Sequence, residues 1–320
     1  RIYCCAYRHL CRRYKRLFAK MKFSIFLFQR FALMTLSMST FAGAIFYSTS
    51  AFTAELTMDD YHYLPANEIK QLQVNGQEIP ALLRPWLGKA KHGLAIIVPD
   101  FSQRADAPGA ANYLRHQLNY SGWATLALTP ASLSQPAYFA TKADEITKAG
   151  EQEHTLLADQ ETPDYSDEEL AKIQQQQHDF MLNSMMQLDS LGKDYSGKRM
   201  IIAFGESANL VAGLLKENRL PSPNVFVVIN PYSDIDTINK QLAKKLTSLT
   251  MPVLDLQSSD GSSESLATQP QRLSLAPENA PNRYSQQILA LDLSQPMSWD
   301  NTLYLIKGFA ARINKAYPNG

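Results

Sequence analysis

The sequence predicts an α/β fold, a single domain built on a mostly parallel sheet with helices on both faces. Short, continuously apolar runs alternate along the chain with longer segments of helical spacing. Those runs do not alternate in polarity, which marks strands buried on both faces. The composition, 45% hydrophobic and 19% charged, is that of a chain able to bury an ordinary core.

The elements follow in order. "GLAIIVPDF" (93–101) reads as a buried strand, followed by a helix around "GAANYLRHQLNYSGW" that stops at Gly122. "ATLALTP" (124–130) is the next strand. "SDEELAKIQQQQHDFMLNSMMQLDSLG" opens with a capping box, Ser166 and Glu169. Its apolar positions Leu170, Ile173, Phe180, Met181, Met185, Leu188 and Leu191 keep helical spacing until Gly192. Then come a strand at 199–204, a helix at 208–218, a strand at 224–231 and a helix at 235–248. Strands at 252–257 and 287–293 and a helix at 300–317 complete the chain.

Two segments break this rhythm. Residues 131–165 are polar and too long for an ordinary connection, and residues 258–285 are rich in Ser, Pro and Asn. Both follow strands, so both project from the carboxyl edge of the sheet, where open α/β folds bind ligands. The insertion at 131–165 reads as a cap over that edge or as a solvated surface excursion.

The charge is unevenly distributed. Residues 1–54 hold nine Lys or Arg and no acid, so of 31 basic and 30 acidic residues in the chain, 22 basic and all 30 acidic remain beyond them. The basic stretch to Lys22, the apolar "FALMTLSMSTFAGAIFY" (31–47) and the small residues Thr49-Ser50-Ala51 form an export signal over residues 1–51. Cleavage is expected after Ala51, with Ala44 as the second choice, and the segment from Met21 reads as a signal peptide in itself. Export implies a periplasmic or secreted domain over 52–320 with no transmembrane span; an uncleaved apolar run would anchor it in the membrane.

Several chemistries find no footing. Cys4, Cys5 and Cys11 all lie in the presequence, which leaves the exported part without disulfide, thiolate metal site or catalytic thiol. There is no H-E-x-x-H, P-loop or G-x-G-x-x-G, so neither metal nor cofactor is expected. An acidic body with no basic stripe argues against nucleic acid.

One stretch carries chemistry. "RMIIAFGESANLVAGLLKEN" (199–218) is a strand run, a tight Gly-Glu-Ser and a helix run, the outline of a nucleophile elbow. Gly205-Glu206-Ser207-Ala208-Asn209 keeps the first glycine of G-x-S-x-G and replaces the last with Asn.

The phrases "GLAIIVPDFSQ", "YLRHQLNYSGWATLALTP", "IIAFGESANLVAGLL", "MPVLDLQSSD", "QRLSLAPENAPNRYSQQILAL" and "LIKGFAARI" resemble an uncharacterised bacterial family, a domain of unknown function within the α/β-hydrolase superfamily. They span roughly residues 72–317. The resemblance implies Ser207 as nucleophile and Asp260, just past "PVLDLQ", as the acid. It implies an oxyanion hole from the N–H of Ala208 and one at Phe101 or Ser102.

The superfamily order places a histidine after the acid, yet His9, His62, His92, His116, His154 and His178 all precede Ser207. The loop after the last strand offers only Ser298, Trp299 or Asp300 there, and His154 in the insertion is the one substitute base within reach of the edge. A serine hydroxyl without a base is a poor nucleophile. The favoured reading is therefore an exported protein with an incomplete triad, non-catalytic or weakly active, that binds a small molecule or an envelope partner. The alternative is an active esterase-type serine hydrolase using Ser207. Sequencing the N-terminus of protein from the envelope fraction tests the export signal, with a start near Phe52 or Ile45 as the expected outcome.

Overall fold

A computed structural model describes residues 61–101, 103–130, 167–277 and 283–318. Strands β1 (Ile69–Val74) and β2 (Gln77–Arg84) form an antiparallel hairpin. Its turn is Asn75-Gly76, with φ of 53° and 82°, the pair of left-handed residues that a two-residue hairpin demands. No strand was expected here, although Asn-Gly between apolar residues is itself a hairpin signal.

The rest of the chain alternates strand and helix as expected, except that a helix, Ser263–Ser274, lies within the 258–285 segment and the last strand starts earlier than expected. After β3 (Gly93–Val98) come α1 (Ala110–Gln117), a 3₁₀ turn at Leu118–Ser121, and β4 (Trp123–Leu128). Then follow α2 (Asp167–Leu191), β5 (Lys198–Phe204), α3 (Gly205–Lys216), β6 (Val225–Ile229) and α4 (Asp236–Thr247). Finally there are β7 (Val253–Gln257), α5 (Ser263–Ser274), β8 (Tyr284–Ile288) and α6 (Pro296–Ala316). The eight strands run in the order β1-β2-β4-β3-β5-β6-β7-β8, parallel from β4 through β8. Among the described residues no helix is long and apolar enough to cross a membrane.

Period-two side chains divide the core between the two faces. Leu94, Ile96, Val98, Ile201 and Ala203 pack with Phe180, Met181, Leu188, Val211 and Leu214 of α2 and α3. Ala95, Ile97, Met200, Ile202 and Phe204 pack with Leu114 of α1 and Ile306, Phe309 and Ile313 of α6. The central strands therefore have no polar face, and their carboxyl ends are left as the open edge.

Helix α5 was not legible, and its buried side explains why. The buried positions are Ser265, Thr268 and Arg272, while Leu266 and Leu273 are exposed. The helix docks through an ion pair. Arg272 Nε donates to Asp255 Oδ2 at 2.9 Å, with both side chains fully buried. Arg272 also donates to Thr268 Oγ1 (2.6 Å), Gln257 Oε1 (2.5 Å) and the Ser265 carbonyl (3.1 Å). Asp255 accepts in addition from Tyr284 (2.6 Å) and Gln286 (2.8 Å), so one network ties α5 to β7 and β8.

Removing one member of such a pair strands a buried charge. Arg272→Met is expected to destabilise the fold by about 3–5 kcal/mol in urea unfolding, and adding Asp255→Leu to recover much of that loss.

Candidate functional site

The site is built where β3 and β5 end. Strand β5 runs extended to Phe204, with φ of −112° and ψ of 148°, and α3 begins at the next residue. The chain turns at Gly205, whose φ of 53° is in the left-handed region. A side chain at Gly205 would meet not open space but the carboxylate of Asp100, two residues beyond β3.

That carboxylate is clasped. Asp100 Oδ1 accepts from its neighbour, the N–H of Phe101, at 2.8 Å and from the N–H of Glu206 at 3.0 Å. Oδ2 accepts from the Tyr232 hydroxyl at 3.1 Å, and the Tyr232 N–H donates to the Gly205 carbonyl at 3.3 Å. Two backbone N–H groups converging on one oxygen at the first turn of a helix form an oxyanion cradle. Here the chain's own aspartate fills it.

The surrounding groups are acidic. Burial raises the Asp100 pKa against the pull of its hydrogen bonds. Burial, then the charges of Asp234 and Asp100, push Glu206 up to about 7. Burial and Glu264 raise Asp234, and burial with the neighbouring carboxylates raises the Tyr232 phenol.

Ser207 is not at the tip of the turn, and that expectation is corrected. It lies inside α3, fully buried, and among the described residues its hydroxyl has no hydrogen-bond partner. The five-residue window is displaced by two: centred on the residue that turns, it reads Ala203-Phe204-Gly205-Glu206-Ser207. The flanking positions Ala203 and Ser207 are both small and fully buried, which lets the helix start close to the strand. Ala208 is buried one turn-step further on, and the N–H that enters the cradle is that of Glu206. The N–H of Phe101 does enter it, while Ser102 and His154 lie outside the described residues.

Asp260 stands just past β7 and grips the loop that follows β8. Its Oδ1 accepts from the Leu293 N–H (2.8 Å) and the Ser258 hydroxyl (2.6 Å), and Oδ2 from the Ser294 N–H (2.8 Å). Partial desolvation pulls its pKa up, but these hydrogen bonds outweigh it and hold the carboxyl below the usual range. Ser298, Trp299 and Asp300, expected in this loop, lie instead in the first turns of α6, because the helix already begins at Pro296. From there Trp299 donates to the Leu293 carbonyl at 2.7 Å and Asp300 accepts from Tyr113 of α1. The backbone of Leu293 and Ser294 thus meets the acid where the superfamily order calls for a histidine.

The sequence matches the family described as "Protein of unknown function (DUF3530)" over residues 49–312. The chain belongs to that family. No curated protein matches it. Solved structures similar to this family member include Est1E from Butyrivibrio proteoclasticus, at a TM-score of 0.52 and 11% identity over 77% of this chain and 98% of that one. A soluble variant of monoglyceride lipase from Saccharomyces cerevisiae gives 0.51 at 7% identity, over 77% and 95%. An esterase domain of a Rhodothermus marinus protein gives 0.50 at 12% identity, over 76% and 97%. At these identities the likeness is one of fold, and the fold of this DUF3530 member is that of the α/β-hydrolases.

Glu206 is raised by burial first, then by Asp234 and Asp100. Between its ordinary value of 4.5 and about 7 the folded chain holds a proton that the unfolded chain has released. Stability therefore falls as pH rises through that window and levels above it. Asp100→Asn keeps an acceptor in the cradle but removes the charge. The Glu206 pKa, read by carboxyl-carbon NMR titration, is expected to fall toward its ordinary value, and the pH-dependent loss of stability to narrow with it.

Proposed function

We propose that this protein is an α/β-hydrolase-like protein of the cell envelope that has given up serine catalysis, or keeps at most weak activity, and works by binding a ligand or partner. One observation carries this reading: Asp100 Oδ1 accepts from the N–H groups of Glu206 and Phe101 above a turn residue, Gly205, that has no side chain. Acyl transfer by this fold needs a nucleophile on the turn and an empty cradle to hold the developing oxyanion. Gly205 supplies no nucleophile, and a carboxylate already in the cradle repels a second negative charge. Glu206 and Asp234 add to that repulsion.

The buried, unpartnered hydroxyl of Ser207 supports the same reading, since activation needs a base within hydrogen-bond reach. The envelope location rests on the basic, apolar and small-residue order of the presequence.

The test is labelling by a serine-directed fluorophosphonate, with hydrolysis of short-chain aryl esters, for the mature protein and for Ser207→Ala. Neither protein is expected to label, and turnover is expected to be absent or slow in both. The variant should be at least as stable as the parent, because it deletes a buried hydroxyl that makes no hydrogen bond. Rapid labelling that vanishes in Ser207→Ala would establish the serine hydrolase instead.

A further inference from the structure

A cavity of about 420 Å³ opens along the outer side of α3, between α2 and α4. It is separate from the cradle yet touches it, because Glu206 lends its N–H to Asp100 and its side chain to the cavity wall. Asn209, Leu210 and Gly213 continue that wall down the helix. Its size is in the range of small-molecule sites.

The cavity is polarised. Its apolar wall is Phe101, Leu210, Ile235 and Ile238, with Glu206 and Ser233 beside them toward the carboxyl edge. Further down stands Lys245, half-buried, with its ammonium group on Asn209 Oδ1 at 2.6 Å. Among the described residues no carboxylate is within ion-pair distance of that ammonium, and its ammonium pKa is lowered by burial. Glu217, on the same wall, opposes that lowering from beyond ion-pair distance. The ammonium has three hydrogens to donate, and a half-buried one can take an anion as a closer partner. Arg219 donates to His178 Nδ1 at 3.0 Å on the same wall, and Glu217 Oε2 lies 3.6 Å from His178 Nε2. This end therefore carries both signs of charge, with Lys245 as the cation that, among the described residues, has no carboxylate at ion-pair distance. Gly213 leaves the room: a Cβ there would meet only Lys245 Nζ, at 3.8 Å.

We infer that this cavity is the binding site for a small amphipathic carboxylate, with the anionic head against Lys245 and the apolar body along Leu210 and Ile238 toward Phe101. The head gains a charge-assisted hydrogen bond in a partly dry site, and the body covers apolar surface that the helices leave open. One ammonium, with Glu206 and Glu217 also on the wall, suits a monoanion better than a multiply charged phosphate. The inference rests on the reading of this chain as a binding protein but not on the state of the elbow.

The experiment is calorimetric titration of the mature protein with octanoate, with butyrate and octylamine as controls. Saturable binding of octanoate at one site is expected, weaker binding of butyrate and none of octylamine. Lys245→Met keeps the apolar stem and should weaken octanoate binding at least about tenfold. Gly213→Leu fills the cavity from a helical position without entering the core, so it should abolish binding while leaving the thermal midpoint unchanged or raised. Absence of saturable heat, or binding undiminished in both variants, would overturn the inference. Fluorophosphonate labelling of the same preparation reports separately on catalysis, so loss of one reading is distinguishable from loss of the other.

Discussion

The carboxylate of Asp100 is the constraint on which the carboxyl edge depends. It joins the loop after β3 to the first turn of α3 and, through Tyr232, to the segment after β6. Because it occupies the volume above residue 205, only glycine is accommodated there, and because φ is positive at that residue, glycine is also the unstrained choice. One side chain thus constrains the residue at the turn and adds, after burial and Asp234, to the raised protonation of Glu206 beside it. In an α/β-hydrolase elbow the helix N-terminus and two N–H groups are kept for a charge that appears only during reaction. Here the Asp100 side chain takes them.

Asp260 is likewise engaged with the protein's own backbone. A carboxylate at this place would orient a histidine; this one accepts two backbone N–H groups of the loop after β8. Both acidic positions near the edge therefore bind the protein's own backbone. Down the flank of α3, Lys245 donates to Asn209 at the wall of a cavity, with no carboxylate among the described residues at ion-pair distance.

The fold was legible wherever burial was apolar and continuous. β3, β5 and β6 announce themselves because both faces are covered, and α2 because its leucines and methionines keep a helical stripe. α5 did not, since its inward stripe is Ser265, Thr268 and Arg272, a pattern that reads as surface unless Asp255 is known to lie opposite. β8 was expected at 287–293 and spans Tyr284–Ile288, because as an edge strand it exposes Gln287 and Ile288 and its pattern is blurred. The elbow was recognised as strand, turn and helix, but the letters Gly-x-Ser drew attention two residues too far along. The end of the apolar run at Phe204 carried the correct register, since the residue after the strand is the one that must turn. Asp100 could not have been found this way. It is 106 residues from Glu206, and no local pattern links a carboxylate to an N–H at that separation.

The clasp itself is open to direct observation in the amide protons of Phe101 and Glu206. Hydrogen bonds to a carboxylate in a half-buried site move such resonances well downfield. In the parent protein both are expected far downfield, and in Asp100→Ala both are expected to shift upfield together while the remote sheet amides stay in place. If both resonances were the same with and without the Asp100 side chain, the cradle would not be filled from within, and the reading of the elbow as a closed joint would be contradicted.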